Sequence, residues 1–579
     1  MKKMSLTSKA VRNAFGANKR SVFLLMIAVI GSVLFSLIPP QILRMIIDNN
    51  LAKGISGGLK GLAVLYLASA ALCGLCDFTK GVMLTNLGQQ MIKNLRLEMM
   101  RKMHRLPMEF FSKNSSGSIM GRFNNDVEHV DSLFSDGAIG LLVDSLKMIG
   151  IVISISMFNV RLGIAVLLLI PFIYLITRAF QKYMLKAQKE NLVELGEMNG
   201  HLEDSVKNIR TIKSYCREKW VYRKYKDLLE KNYRTIRKVN FCDAIYSPII
   251  QIIKAFVIAG IVYSVSDHHT VIGITVGMTA ASIDLISNLF APIESLGTEF
   301  QNIQDGVSAI NRINSFGNEP EVDKKDGSLT AGCIMDGFSK DCSVVSAEHL
   351  TFSYDNSRTQ VLDDVSFSIK RGEYVTITGR TGVGKTTLLM LVTGLFTPSG
   401  GCVKIFGTDA GKIPDSIKRS IYGYVTQDMK EIPGTIIDQV TLKDPNVTRE
   451  QAIEAIKFTG LYDELEGDID RTDTSLSQGQ KQLLGIARAI APDPPILLFD
   501  EITSSLDSMT EERIVSVLKK AAEHHTVLSV SHRLTSLKNS DQLIYLENGR
   551  VRVCGTPDEV LAQIPDFEAL IKLQENGWS

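Results

Sequence analysis

The sequence has almost no charge imbalance. Across 579 residues, 64 Lys and Arg stand against 62 Asp and Glu, a net charge of +2. A strong basic surplus is the usual footprint of a nucleic-acid binder, and it is missing. Organised cysteine is missing too. Cys73, Cys76, Cys216, Cys242, Cys333, Cys342, Cys402 and Cys554 fall at neither disulfide-framework nor zinc-ligand spacing. Cys73 and Cys76 form a CxxC, but inside an apolar run, where small residues packing along a membrane helix is the better reading than redox chemistry. Cys333 and Cys342 sit in a polar linker and read as free thiols. Lys and Arg are also scarce along several stretches before residue 300.

Those stretches are long and apolar. Mean hydropathy is +0.10 in a chain long enough for two to four domains. The basic start MKKMSLTSKAVRNAFGANKR resembles a signal peptide, but the apolar run behind it is too long and others follow. Six blocks, 21–43, 59–84, 133–158, 160–180, 244–265 and 270–293, each reach the roughly 20 residues that cross a bilayer as a helix. A buried soluble helix explains one such block and not six.

Basic residues set the expected orientation. The loop 84–132 holds Lys93, Arg96, Arg101, Lys102, Arg105, Lys113 and Arg122, and 178–243 holds sixteen Lys and Arg. The opposite side has Arg44, Lys53 and Arg161, and none in SDHH at 266–269. Both termini and both long loops are therefore expected in the cytosol of a multi-pass cell-membrane protein, of bacterial type. The loops read as helical arms: QQMIKNLRLEMMRKMHRL has apolar residues at three- and four-residue spacing up to Pro107. Short turn elements are expected at MEFFSKN and near Asn208–Ser214. Asp77, Lys80, Asp144, Lys147, Lys254 and Asp284 fall inside apolar blocks, where unpaired charge is costly. Lys254 and Asp284 lie at similar depth in an expected hairpin, so they either pair, share a polar cavity, or snorkel to the inner headgroups.

After Phe316 the chain turns polar, and a strand-rich α/β pattern starts near Val344. The expected domains are 1–310 in the membrane, a linker over 311–345, and a cytosolic domain over 346–579. In the last, EYVTIT runs into GRTGVGKTT and then TLLMLVTGLF: strand, glycine loop, Lys-Thr, helix. That context defines a phosphate-binding loop. Gly379, Arg380, Thr381, Gly382, Val383 and Gly384 supply backbone N–H groups, aided by the positive end of the helix. Lys385 reaches the β- and γ-phosphates of ATP; Thr386 ligates Mg²⁺ and Thr387 follows it in the same turn. ILLFDE (496–501) is an apolar strand ending in two carboxylates. Asp500 is expected to hold Mg²⁺, through water, and Glu501 to orient and deprotonate the attacking water.

LSQGQKQLLGIARAI (476–490), just before that strand, resembles the signature of ATP-binding-cassette (ABC) proteins. Tyr354, 25 residues before the loop, stands where the family stacks an aromatic on adenine. Gln427 matches the glutamine loop, which the family places at the metal and the reacting water. Asp507 in SSLD matches the D-loop, and His532 in VSHRL the switch histidine. RLPMEFFSKNSSGSIMGRFNNDVEHV and NIRTIKSY resemble the two cytoplasmic loops of ABC exporters. The likeness spans nearly the whole chain and is to a half-transporter of the multidrug and lipid exporter group. It implies a six-helix transmembrane domain with long cytoplasmic arms and an α/β P-loop ATPase domain.

Ser477 reads as an N-cap whose helix start is an anion site. The resemblance places Ser477, Gly479 and Gln480 on ATP held by a second subunit, which implies a dimer with composite sites. Gln478 departs from the usual second glycine of LSGGQ, and DELEGDIDRTDTS lacks the T-x-V-G-E-R-G element common in homodimers. A heterodimer with another half-transporter is thus slightly favoured over a homodimer. The cargo is expected to be a drug, lipid or peptide of hydrophobic or amphipathic character, moved by alternating access. The alternative is an ATP-binding regulatory or gating subunit that does not pump; the full set Lys385, Asp500, Glu501 and His532 favours turnover. An importer is disfavoured because importers usually carry the two halves on separate chains. No peptidase domain precedes the first apolar block, which disfavours a bacteriocin-processing exporter.

Overall fold

A computed structural model describes residues 5–53, 58–266, 275–322, 334, 343–354, 360–472, 476–502, 506, 508–532 and 534–564. They form two compact units: residues 1–105 with 114–319, and 106–113 with 320–579.

The first unit is helical. Chain order is Leu6–Ala17 (α1), Lys19–Met45 (α2), Leu59–Met103 (α3), Met108–Lys113 (α4), Ser116–Gly121 (α5), Val127–Ser132 (α6), Gly140–Phe158 (α7), Val160–Lys207 (α8), Ile209–Ser214 (α9), Glu218–Ser266 (α10) and Val276–Asn318 (α11). The short α4 is grouped with the second unit. Two π-helical segments, Arg122–Asp126 and Leu133–Ile139, join α5, α6 and α7 into one continuous span. Among the described residues six spans are long and apolar enough to cross a membrane. α3, α8, α10 and α11 run 45, 48, 49 and 43 residues. At about 1.5 Å per residue they reach ~65–75 Å, more than twice a hydrocarbon core of ~30 Å. The excess is the cytosolic arms, and the turn elements expected at their tips are α4 and α9.

α7 and α8 are separated by one residue. Asn159 is extended (φ −155°, ψ 118°), and its Oδ1 accepts from the N–H groups of Arg161 and Leu162 at 2.9 and 3.4 Å. A polar cap thus ends one span and starts the next within a single turn. The core of this unit joins Ile151 and Ile155, Leu162 and Ile173, Ile250 and Ile261, and Leu285, Ile286 and Leu289, from α7, α8, α10 and α11. Elsewhere large apolar side chains face outward: Phe78 at 69% exposed, Leu168 at 69% and Phe256 at 74%. Water does not tolerate such a belt on so many faces; lipid does.

Two expectations change. The block expected at 270–293 lies in a helix described from Val276 that runs on to Asn318, so 311–318, expected as the start of the linker, is helical; 270–274 lie outside the described residues. Lys254 and Asp284 form no ion pair. Asp284 lines a cavity that Lys254 does not reach. Equal depth does not set rotation: Leu285, Ile286 and Leu289 of α11 join the core shared with α10, while Asp284 and Asn288 lie on another face.

In the second unit, Ser343–Phe352 (β1), Leu362–Lys370 (β2), Tyr374–Gly379 (β3), Gly400–Ile405 (β4), Thr408–Asp409 (β5), Tyr422–Val425 (β6), Ile496–Asp500 (β7), Thr526–Val530 (β8), Gln542–Glu547 (β9) and Arg550–Gly555 (β10) make two sheets. One has order β2-β1-β4-β5 and is antiparallel. The other has order β10-β9-β3-β8-β7-β6, parallel except for β10. β3, β7 and β8 are buried at every position, as central parallel strands covered on both faces must be.

α11 packs tightly on the helical turns before α7. A Cβ at Gly306 would stand 2.3 Å from Leu133 Cβ and 2.9 Å from the His129 carbonyl. Gly306→Ala is therefore expected to cost about 1–3 kcal/mol through overpacking. Thermal melting of the solubilised protein checks this. Gly196→Ala is the control, because a Cβ there meets nothing within 4 Å; it should hold or raise the melting temperature.

Candidate functional site: the phosphate loop and the strand ends beside it

Three adjacent parallel strands, β3, β8 and β7, deliver their carboxyl ends to one place. This is where open α/β sheets bind ligands. β3 ends in the loop 379–384, β7 ends in Asp500 with Glu501 next, and His532 follows β8 by two residues.

The loop needs its glycines. Gly379 has φ +149°, and a Cβ on it would collide with the Leu546 carbonyl at 2.2 Å. Gly384 has φ +104° and caps the helix Lys385–Val392. Gly382 (φ +84°) has open space where a Cβ would stand, and Arg380 and Thr381 are exposed on the same rim. Val383 closes the loop, its N–H donating to the Arg380 carbonyl at 3.3 Å.

Lys385 is only 5% exposed. Its ammonium donates to the carbonyls of Gly379 and Arg380, each at 3.1 Å, and lies 3.8 Å from Glu501 Oε1. Burial pushes its pKa down, while the charges of Glu501 and Asp500 pull the other way. His532 Nε2 is 3.1 Å from the same Glu501 oxygen, though without hydrogen-bond geometry. Glu501 has left-handed backbone (φ +47°), and its N–H donates to the Val530 carbonyl at 3.1 Å. A non-glycine residue held there stores strain of order 1–3 kcal/mol, a mark of functional positions.

Thr386 Oγ1 donates to Asp500 Oδ1 at 3.0 Å. Asp500 is 4% exposed, and burial raises its pKa above the ordinary carboxylate value against that hydrogen bond. A hydroxyl and a carboxylate side by side are hard oxygen donors of the kind Mg²⁺ takes, so the residues fit that ion. The Tyr354 hydroxyl is 3.0 Å from that of Thr387, and its ring stands edge-on to Phe352 and Phe396 at 4.9 and 5.7 Å. Tyr354 is thereby tied to the loop.

Ser477 caps the helix Gln478–Ile490 in a capping box. Its hydroxyl accepts from Gln480 N at 3.2 Å, and Gln480 Oε1 accepts from Ser477 N at 3.0 Å. Gly479 lies against Thr510. Among the described residues no hydrogen bond or ion pair links Ser477, Gly479 or Gln480 to the loop 379–387. Gln427 is exposed, with its carbonyl accepting from Gln482 Nε2 at 2.7 Å. Asp507 lies outside the described residues.

Two residues escaped sequence reading. Gln482, 1% exposed, ties the glutamine loop to the signature helix. Its signal was a polar residue on the buried face beside Leu483 and Leu484. Tyr424 of β6 sets its hydroxyl beside Asp500 and is pushed above its ordinary pKa chiefly by burial. Nothing in its local pattern marked it.

This geometry is that of a nucleotide-binding cassette, and comparison with known proteins decides the family. The ABC transporter transmembrane region matches residues 22–293, and the ABC transporter domain matches 362–504. The chain belongs to the ABC transporters, as an exporter half-transporter. It is 26% identical to a multidrug resistance ABC transporter ATP-binding and permease protein of Lactococcus lactis subsp. cremoris (strain MG1363), over 96% of this chain and 94% of that one. It is also 26% identical to an ATP-dependent lipid A-core flippase of Francisella tularensis subsp. tularensis (strain FSC 198), over 93% and 90%. A solved structure of a bacterial Atm1-family ABC exporter with ATP bound superposes with a TM-score of 0.78, at 22% identity and over 97% and 99% of the chains. That likeness carries the fold. The half-transporter is thus a multi-span cell-membrane protein that binds ATP and couples its hydrolysis to transport.

His532 gives a pH prediction. Its pKa sits below the ordinary 6.5, chiefly through burial and then the Lys385 charge, against the pull of Glu501. As pH falls through 6.5, the unfolded chain takes up a proton that the folded chain refuses, so this group's contribution to stability is lost on acidification. Melting curves of the nucleotide-free protein between about pH 7.5 and 5.5 should therefore flatten in His532→Gln. An unchanged acid limb would count against a neutral buried imidazole.

Proposed function

We propose that this chain is an ATP-hydrolysing exporter subunit that moves a hydrophobic or amphipathic molecule out of the cytosol by alternating access. The observation that carries this reading is the convergence of Lys385, Thr386, Asp500, Glu501 and His532 at neighbouring strand ends, in a chain that also holds six membrane spans.

The roles follow from position. Loop N–H groups from Gly379 to Gly384 and the ammonium of Lys385 hold the triphosphate, and Tyr354 meets the base. Thr386 and Asp500 would hold Mg²⁺, with Gln427 joining from its loop. The ion supplies charge neutralisation at the β- and γ-phosphates. Glu501 accepts the proton of the attacking water, and His532 orients Glu501 and the γ-phosphate. Lys385 lies 3.8 Å from Glu501 Oε1, so the phosphate-binding ammonium and the proposed base stand side by side.

Ser477, Gly479 and Gln480, with Asp507, serve the ATP of a second subunit. The capped helix start has its own anion-binding polarity, which supports a composite site across a dimer. A heterodimer with a different half-transporter is favoured, since DELEGDIDRTDTS lacks the element common in homodimers. Closure of two cassettes on ATP would draw the cytosolic arms together, and loss of the γ-phosphate would release them.

Glu501→Gln is expected to keep ATP binding while lowering MgATP turnover about 10²–10³-fold. Turnover of the purified protein in lipid, with fluorescent-nucleotide binding in parallel, measures both; undiminished turnover removes Glu501 as the base. Inverted vesicles should accumulate a hydrophobic dye against its gradient only with ATP. A gating subunit would equilibrate it instead. Native mass spectrometry of the tagged chain drawn from its own cells separates a pair of 63.9 kDa chains from a mixed pair.

A further inference from the structure

The helix Gln478–Ile490 does more than present Ser477. One of its faces is turned to the loop that carries Gln427. Residues 426–435 connect β6 to the helix Ile436–Thr441. A connection of this kind has no sheet neighbour to take its carbonyls, so other groups must meet them. Side chains of the signature helix do so. Gln482 Nε2 donates to the Gln427 carbonyl at 2.7 Å, and Arg488 Nη1 to the Lys430 carbonyl at 3.2 Å. Lys481 Nζ lies 2.7 Å from Glu431 Oε1. Gly485 lets the two segments close on each other: a Cβ there would stand 3.2 Å from Val425 Cγ1 and 3.3 Å from Met429 Cγ. Positions 481, 485 and 488, and 482 with 485, follow the three- and four-residue spacing of one helix face. The glutamine loop is thus placed by the signature helix more than by the strand it leaves.

Gln482 is a poor choice for stability alone. It is 1% exposed, beside the buried Leu483 and Leu484. Its Oε1 is buried with no hydrogen-bond partner among the described residues. A buried acceptor without a donor costs free energy, and an apolar side chain of similar length would avoid that cost. The residue it holds, Gln427, is exposed, where water competes for the same carbonyl. What the bond supplies is direction. Fixing the carbonyl of Gln427 fixes the peptide plane that follows it, and with it the aim of the Gln427 side chain.

We propose that Gln482 is a positioning residue for Gln427: by donating to its carbonyl, it holds the glutamine loop where the Gln427 side chain joins Thr386 and Asp500 at the metal. This rests on the reading above that Gln427 works at that place. Gln482 itself touches neither nucleotide nor reacting water. Its effect therefore falls on turnover, and not on nucleotide affinity, which belongs to the loop 379–384, Lys385 and Tyr354.

The test uses the full-length protein in lipid nanodiscs, in its native oligomer. Gln482→Met keeps the length of the side chain and removes the donor. It is expected to lower MgATP turnover about tenfold, the scale of one hydrogen bond. Fluorescent-nucleotide affinity measured in EDTA should stay within about twofold of wild type, and the melting temperature should hold or rise. Amide hydrogen exchange across 426–432 should quicken in the nucleotide-free variant. Gln482→Glu adds a pH readout. A carboxyl group donates to the carbonyl only when protonated, and burial raises the pH at which it takes up its proton. Turnover relative to wild type at each pH should therefore climb in Gln482→Glu as pH falls from about 8 to about 6, and stay flat in Gln482→Met.

Wild-type turnover in Gln482→Met, or unchanged exchange across 426–432, overturns the proposal. A melting temperature that falls together with turnover overturns it too, by making the bond structural. If Gln482→Met does not fold, the Gln482→Glu profile decides, and a flat ratio overturns the proposal. Gln427→Ala separates this from the reading beneath it. Undiminished turnover there removes Gln427 from the metal, whereas a loss there with none in Gln482→Met removes the positioning role alone.

Discussion

An ammonium group taken almost wholly out of water must find partners, and Lys385 finds them in its own loop. Two carbonyls, Gly379 and Arg380, accept from it at 3.1 Å, and Glu501 stands at 3.8 Å. That requirement shapes the cassette. The loop must fold tightly enough to bring its carbonyls to the lysine, so Gly379 and Gly384 adopt backbone that other residues resist. β7, two places along the sheet from β3, must end at the right level to present a carboxylate, and Glu501 takes a strained conformation to do so. Burial then acts on three of the groups in the direction that disfavours charge: down for Lys385 and His532, up for Asp500. A site so prepared gains most from a ligand that carries several negative charges and a divalent cation together.

Much of this was legible in the sequence, for a physical reason. Phosphate loops and carboxylate strand ends are local constructions, so GRTGVGKTT and ILLFDE carry their geometry within a few residues. Ser477 and Gln480 are equally local, three apart on one helical turn, and the capping box follows. What depends on rotation and on long-range packing was not legible. Lys254 and Asp284 were matched in depth, and depth says nothing about which way a helix face turns. Glu299 and Asp144, 155 residues apart in sequence, line one cavity through packing alone. Tyr424 reaches Asp500 only because β6 lies next to β7 in the sheet. Gln482 left a faint trace, a polar residue where the helix is otherwise buried and apolar. The linker was drawn from 311, although 311–318 remains helical and buries Ile313 and Phe316.

The helical unit follows different rules from the cassette. Its exterior is apolar because its solvent is lipid, so exposure of Phe78 or Phe256 signals no defect. Polar chemistry is confined to its inner walls, where Asp144, Asp284 and Glu299 lie on two helices, α7 and α11. The two units thus invert one another: one hides apolar strands beneath a charged surface, and the other hides charge beneath an apolar surface.

One feature of α11 has a mechanical side. Ser295, Glu299, Gly306 and Arg312 all lie beyond Pro292 on the same helix. Gly306 is wedged against Leu133, and Arg312 grips the buried Asp126 through two nitrogens at 2.6–3.1 Å. The stretch from Glu299 to Arg312 is 13 residues, about 20 Å of rod with no proline to absorb twist. The wedge at Gly306 and the grip at Arg312 hold the two ends of one helical turn-stack in register, so the lower half of α11 is pinned at two points rather than one.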